Sequence, residues 1–360
     1  MHKFIMTGCD LHDKTMLLFT AEGAAAPVKR SVENSAAGRA AMIADLQKRA
    51  LASNARVVFA YEASALGFGL HDELTDAGIT CVVLAPGKIA RSAKHLRTKT
   101  DEKDAERLLE VLRGHYLAGS KLPAIWIPDK NTRDDRELVR TRLDVQCKNA
   151  KVKTQIRTLL KRNSVSKPAD IGSVWTKGYV CWLRTLLTSE ALRAGTRIAL
   201  DSLLRQMDAL SGEIKRLDAA IAVLAADSRY AAAVAELCKL AGVGVLVSMV
   251  FLTEMGDLHR FANRRQLAAF LGVVPSSNES GEASDRKGHI THQGPARVRQ
   301  VLCQAVWNRV RFDAHEREVY DRIAVKNPRH KKKAVVAGMR RLAIRMWHAA
   351  KPHSPLRKTG

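Results

Sequence analysis

Eight apolar residues, Leu200, Leu203, Met207, Leu210, Ile214, Leu217, Ile221 and Leu224, follow one another at alternating spacings of three and four. An α-helix keeps such a series on one stripe, and a mean period of 3.5 residues is the seam of a coiled coil. The series runs over more than three heptads, so this helix is predicted to lie along a second long helix. A partner is readable at residues 134–162, where Leu138, Val145, Val152 and Leu159 recur every seven positions. The two helices pair either within one chain or across a dimer; the sequence permits both. Between them, "SVWTKGYVCWLRTLLTSEALRAG" carries two of the five tryptophans beside basic residues. A local hydrophobic mini-core is predicted there, with a nucleic-acid contact as the alternative.

The first hundred residues obey a different rule. "KFIMTGCDL" and "TMLLFTAE" read as strands joined by a tight turn at "HDKT", and "PVKRSVEN" reads as a third. A helix is predicted over "SAAGRAAMIADLQKRALA" with Ser35 as its cap. The β-rich run "RVVFAYEAS", a helix over "GFGLHDELTDAG" and the strand "TCVVLAP", closed by Pro86, complete the series. Three meandering strands followed by helix, strand, helix, strand and helix are the element order of a mixed sheet flanked by helices, as in the ribonuclease-H fold. The fold class is therefore α/β followed by all-α. The boundaries are expected at 1–130, 131–227 for the long helices, 228–350 for a helical C-terminal domain, and 351–360 for a basic tail.

Charge separates these parts. The formal net charge is +24, yet residues 1–85 hold eight Lys and Arg against nine Asp and Glu, so residues 86–360 carry +25. Such an excess calls for a polyanion, most simply nucleic acid, bound by the chain beyond the first sheet. Lys148, Lys151 and Arg157 on the first long helix are candidate phosphate contacts. The six cysteines form no CxxC pair, which argues against a structural zinc site or a disulfide framework and fits a reducing cytoplasm. The longest apolar run, "AGVGVLVSMVFL", is too short to cross a bilayer and Asp10 breaks the N-terminal one, so a soluble intracellular protein with no membrane partner is expected.

Four acids stand out by position. Asp10 lies within a strand, where Asp is disfavoured. Glu62 ends the fourth strand, and Asp101 and Asp104 share one face of the following helix because residues three apart are neighbours there. In a sheet with the first and fourth strands adjacent, all four converge. Clustered carboxylates raise one another's pKa, and hard divalent cations bound through oxygen relieve that repulsion. Two ions roughly 4 Å apart also activate an attacking oxygen and stabilise a leaving one in phosphoryl transfer. Taken alone, the pair Asp101/Asp104 reads as a solvated helix face; the order of all four acids on these elements is what points to a metal site.

In the C-terminal part, a helix interrupted by "GVG" resembles a helix–hairpin–helix, where Gly242 and Gly244 would let backbone N–H groups approach a phosphate; a plain turn between buried helices is the alternative. "PSSNESGEASDRKGHITHQG" reads as a long polar loop, of the kind that is often functional. His289 and His292 within it read as surface histidines. Taken together, "GCDLHDKT", "YEASALGFGL", "VVLAPGKIARSAKHLRTKTDEKDAERL" and "AGVG…EMGDLHRFANRRQLAAFLGVVPSSNESG…RKGHITHQGPARVRQVL" resemble the DEDD recombinases of the insertion-sequence 110 family of bacterial mobile elements. The resemblance runs from about residue 3 to 350 and is weakest in the middle helices.

That resemblance implies a first domain of the Holliday-junction-resolvase type, with the DEDD carboxylates on Asp10, Glu62, Asp101 and Asp104 and magnesium, two ions, as cofactor. It also implies a serine nucleophile just before a glycine, matched here by Ser280, with Ser276 and Ser277 as alternatives. Arg286 and Lys287 would then bind the scissile phosphate. A serine hydroxyl needs a base or a metal to release its proton, and activation at a carboxylate site from a neighbouring subunit is expected. The partners implied are donor and target DNA, a structured RNA made from the element, and further copies of the chain as a dimer or tetramer, with a cytoplasmic, nucleoid-associated location in a bacterium. The rival readings are a metal-dependent, junction-resolvase-like nuclease using water, and a binding module with solvated acids.

Overall fold

A computed structural model of the chain describes residues 3–89, 100–277 and 287–354. The chain forms two compact units, Met1–Ile127 and Pro128–Gly360.

The first unit is a five-stranded sheet. Its strands are β1 (Lys3–Leu11), β2 (Thr15–Glu22), β3 (Val28–Glu33), β4 (Ala55–Glu62) and β5 (Thr80–Leu84), in the spatial order β3-β2-β1-β4-β5. The meander β1–β2–β3 is antiparallel, whereas β4 and β5 join parallel to β1. Helices α1 (Ala36–Ser53) and α2 (Gly69–Asp76) provide the crossovers, and α3 (Asp101–Tyr116) comes after β5. Ser35 caps α1 as expected, accepting a hydrogen bond from the Gly38 N–H at 3.2 Å, and Asn54 ends the helix in the left-handed conformation at φ 50°.

Alternation along the strands sorts their side chains into two cores. Ile5, Cys9, Val57, Phe59 and Tyr61 pack with Met42 and Leu46 of α1 and Leu70 and Leu74 of α2. Met6, Val58 and Ala60 face the other way, against Leu108, Leu109 and Leu112 of α3. The second set has the parity of Gly8, Asp10 and Glu62. Gly8 fixes how closely α3 approaches, because a Cβ there would lie 2.3 Å from the Ala105 carbonyl oxygen and 2.4 Å from the Leu109 nitrogen. At its far end α3 is tied to the β2–β3 turn by Arg113, which donates to the Gly23 carbonyl at 3.2 Å and to that of Ala25.

The second unit is helical. Helices α4 (Lys130–Arg162) and α6 (Ala194–Ala225) form an antiparallel hairpin within the chain. Arg142 grips Asp218 with two hydrogen bonds of 2.7 and 3.0 Å, and the Asn149 amide donates to the Ser211 hydroxyl at 3.3 Å. As α4 advances from 142 to 149, α6 therefore retreats from 218 to 211. The α4 helix starts four residues earlier than the periodicity suggested, because Asp129 caps it by accepting from the Thr132 N–H at 2.8 Å. Of the predicted stripe, Leu200, Met207, Leu217 and Ile221 are buried, and Leu204, Ser211 and Asp218 lie beside it.

At the hairpin tip, α5 (Lys177–Thr185) closes a core of Val152, Ile156, Tyr179, Leu183, Leu200, Leu204 and Met207. This is the predicted mini-core. The hairpin base instead joins the main core, where Val139, Leu143, Ile221 and Ala225 pack with α7 (Ala231–Cys238), α8 (Val245–Met255), α9 (Arg264–Phe270), α10 (Ala296–Phe312) and α12 (Lys332–Ala350). Helix α8 is buried on all sides from Ser248 to Met255, so it is the centre of this bundle. Helix α11 (Ala314–Val325) is anchored through Glu316, whose carboxylate meets Arg309 at 2.6 Å, Arg345 at 3.0 Å and Arg341 at 3.6 Å. Among the described residues no helix is long and apolar enough to cross a membrane, and all six cysteines are free.

Candidate functional site

Asp10 is the second-to-last residue of β1, and Glu62 is the last of β4. The parallel register pairs Cys9 with Tyr61. The next residue of each strand is Asp10 or Glu62, so both leave adjacent strand ends on the same side of the sheet, the side that α3 covers. Helix α3 begins at Asp101, with Thr100 extended at the cap position. Its first turn holds Asp101, Glu102 and Asp104, where carboxylates also complement the helix dipole. The close contact at Gly8 brings this turn to the end of β1.

The carboxylate oxygens of Asp10 and Asp101 and a ring nitrogen of His12 lie within 4.8 Å of one another. His12 Nε2 stands 3.0 Å from Asp10 Oδ2 and 3.5 Å from Asp101 Oδ2. Asp104 is 8% exposed and accepts a hydrogen bond from Arg107 at 2.8 Å. Glu62 is half-buried at its strand end and stands outside the group of three. Burial raises the pKa of Asp10 above the ordinary 3.8; His12 opposes the rise through its charge and hydrogen bond, and the carboxylates of Asp101 and Asp104 add to it. A carboxylate whose neighbours make its charge unfavourable is one that a cation would relieve. The carboxylate oxygens of Asp10 and Asp101 fit a hard divalent ion such as magnesium or manganese.

His12 and Gly8 escaped the sequence reading. His12 lies in the turn between β1 and β2, where its type and position resemble those of any polar turn residue. Gly8 is one small residue in a strand; its proximity to Asp10 was a usable signal, since glycine in a strand often marks close backbone approach.

The candidates in the second unit are distributed differently. Ser280 and Arg286 lie outside the described residues, as do the side chains of Ser277 and Lys287. The segment predicted as one long loop has two short strands at its described ends, β6 (Pro275–Ser277) and β7 (Lys287–Ile290), paired antiparallel. Ser276 is exposed on β6, and its hydroxyl would lie 2.5 Å from a Cβ at Gly288. His289 and His292 are exposed. Gly242 has φ +75°, and a Cβ there would meet the Ala305 carbonyl oxygen at 2.8 Å, so packing against α10 accounts for it. Gly244 is the exposed residue before α8, with open space around it. Lys148, Lys151 and Arg157 are exposed along α4.

Comparison with known proteins converges on one group. Residues 7–164 match an IS110 DEDD family described as "Transposase", and residues 234–321 match "Transposase IS116/IS110/IS902 family". A putative transposase of Sinorhizobium fredii, y4qE, is 31% identical over 72% of this chain and 60% of its own length. A second putative transposase of that organism, y4rJ, is 29% identical over 78% of the chain and 73% of its own length. The transposase for insertion sequence element IS1533 of Leptospira borgpetersenii is 24% identical over 69% of each. The chain thus spans three fifths of the first of these relatives and more of the others. With one family match beginning in the sheet that carries Asp10 and the other lying in the helical bundle, the chain belongs to the IS110 family of transposases.

Proposed function

We propose that this protein cuts and rejoins DNA by phosphoryl transfer, with Asp10, Glu62, Asp101 and Asp104 holding the divalent cations, magnesium in the first instance and two in number. The observation that carries the reading is the meeting of Asp10 and Asp101 from a strand end and a helix start, with the Asp104 carboxylate adding to the field at Asp10. A first unit of the ribonuclease-H, junction-resolvase type accords with the strand order and the parallel β1–β4 pair. When bound, the cations would supply charge neutralisation at the phosphodiester and acidify an attacking hydroxyl. Asp10 and Asp101 would orient them, Arg107 holds Asp104 in place, and His12 bridges the two carboxylates.

In this reading Ser280 is the nucleophile. Its hydroxyl oxygen forms an ester bond to phosphorus while the bond to the deoxyribose oxygen breaks, and that oxygen takes up a proton. Attack by a strand-end hydroxyl on the serine ester then forms a new phosphodiester and regenerates the serine. The energy of the broken bond is retained for rejoining. Arg286 and Lys287 would neutralise the scissile phosphate, and Gly242 and Gly244 would bring backbone N–H groups to a neighbouring one. The long helices (131–227), the C-terminal module (228–350) and the basic tail (351–360) would divide the binding of DNA and an element-encoded RNA, with the protein acting as a dimer or tetramer. The net charge of +24 supports two polyanionic partners.

The test is an excision and integration assay on a plasmid carrying the cognate element, with trapping of protein–DNA adducts. Asp10→Ala and Ser280→Ala should each abolish strand exchange, and Ser280→Ala should also abolish the adduct. Continued cutting by Ser280→Ala without an adduct would establish instead a nuclease that uses water.

A further inference from the structure

The tip of the α4–α6 hairpin carries an open groove of about 570 Å³. It is lined by Lys153 of α4, Trp175 and Lys177 at the start of α5, Arg184 of α5, and Asp208 and Lys215 of α6. Asp208 is taken by Arg184, whose Nη2 donates to it at 2.7 Å. Among the described residues no carboxylate pairs with Lys153, Lys177 or Lys215. Other cations of this unit do have carboxylate partners, as in Arg142 with Asp218, Arg297 with Asp144 and Arg309 with Glu316. Three ammonium groups left facing one groove form an uncompensated positive site.

Trp175 makes the site a built one. Its φ is +68°, a conformation that costs a bulky L-residue about 1–3 kcal/mol and persists only where the surroundings enforce it. The outcome of that strain is an indole held against Tyr179, with ring centroids 5.3 Å apart, and a Lys153 ammonium 5.3 Å from the indole centroid. The cation–π contact fixes a lysine that would otherwise sweep through solvent. Arg157, one turn further along α4, acts electrostatically on the Tyr179 hydroxyl and extends the same basic face.

We infer that this groove binds the phosphate backbone of one strand of duplex DNA, without reading its sequence. The charge and the open form favour backbone contact. The inference rests on the proposed function for its choice of DNA, and it assigns a second binding surface remote in sequence from the carboxylates. Lys148 and Lys151 lie well around α4 from Lys153 and Arg157 and belong to another face.

The experiment uses the full chain and a duplex oligonucleotide of arbitrary sequence, with single-stranded RNA of equal length as the second arm. Fluorescence anisotropy across a salt series gives the slope of log K against log salt. Combined Lys153→Ala, Lys177→Ala and Lys215→Ala should reduce that slope for duplex by roughly 2.7, and the matching triple arginine variant should restore it. Cys181 is exposed in the groove, so duplex should protect it from alkylation, read residue by residue by mass spectrometry. An unchanged slope with equal alkylation of Cys181 overturns the inference. Protection by RNA alone overturns the assignment to DNA. Because these readouts need no strand cleavage, loss of the proposed chemistry with a preserved slope change would refute the former reading and leave this one standing.

Discussion

Replacing Gly8 by alanine tests whether α3 sets the geometry of the carboxylates. The added Cβ would lie 2.3 Å from the Ala105 carbonyl oxygen and 2.4 Å from the Leu109 nitrogen, where ordinary contact begins near 3.4 Å. Both neighbours are backbone, so no side chain can turn away, and strand and helix must separate by about 1 Å. A gap of that size forfeits a quarter to a half of the dispersion attraction across it. Overpacking of this kind costs about 1–3 kcal/mol, and the better strand preference of alanine returns up to about 1 kcal/mol. A net loss of about 1–2 kcal/mol is expected. The same displacement carries Asp101 and Asp104 away from Asp10, and misplacement by about 1 Å can cost a hundredfold in rate. Urea unfolding followed by far-ultraviolet dichroism reads the first effect, and manganese titration by calorimetry reads the second. Gly69→Ala is the control, because nothing lies within 4 Å of a Cβ there. If Gly8→Ala matched that control in both midpoint and manganese affinity, the packing argument would be wrong.

Two further outcomes rest on the charges. Burial raises the Asp10 pKa, so the stability linked to its protonation is complete below the ordinary 3.8 and is lost as pH rises through the raised value. Metal-free Asp10→Asn should therefore resist urea better than the native chain at neutral pH, match it well below 3.8, and lose the stabilisation by manganese. At Glu316, burial pushes the carboxyl up, but the Arg309 hydrogen bond and the charges of Arg309, Arg341 and Arg345 hold it below the ordinary 4.5. Its contribution is present above 4.5 and lost as pH falls through the lowered value. Glu316→Ala, which strands the buried Arg309, should cost about 3–5 kcal/mol by thermal or urea unfolding at neutral pH.

Where a pattern reflects burial alone, the sequence was legible. Strand alternation set the faces of β1 and β4, and the placement of Asp10 and Glu62 derives from that parity. The heptad stripe announced two long helices, but not its own polar layer: Arg142, Asn149, Ser211 and Asp218 occupy the interface because each finds a partner on the other helix. No periodicity of apolar residues can reveal such positions. His12 was hidden for a related reason, since its meaning comes from the approach of Asp101, some ninety residues away. The cap at Asp129 was overlooked because the apolar pattern begins only after it. The lysines of the hairpin groove look like any solvated face until the fold brings α4, α5 and α6 together around one groove.

The division of the hairpin into a base core and a tip core, with Asn149 and Ser211 between them, has an evolutionary consequence. The tip encloses its own apolar contents, so nature can lengthen, trim or exchange it as a cassette while the bundle around α8 stays intact. Diversification of what such an arm grips would then proceed without re-engineering the machinery that holds it.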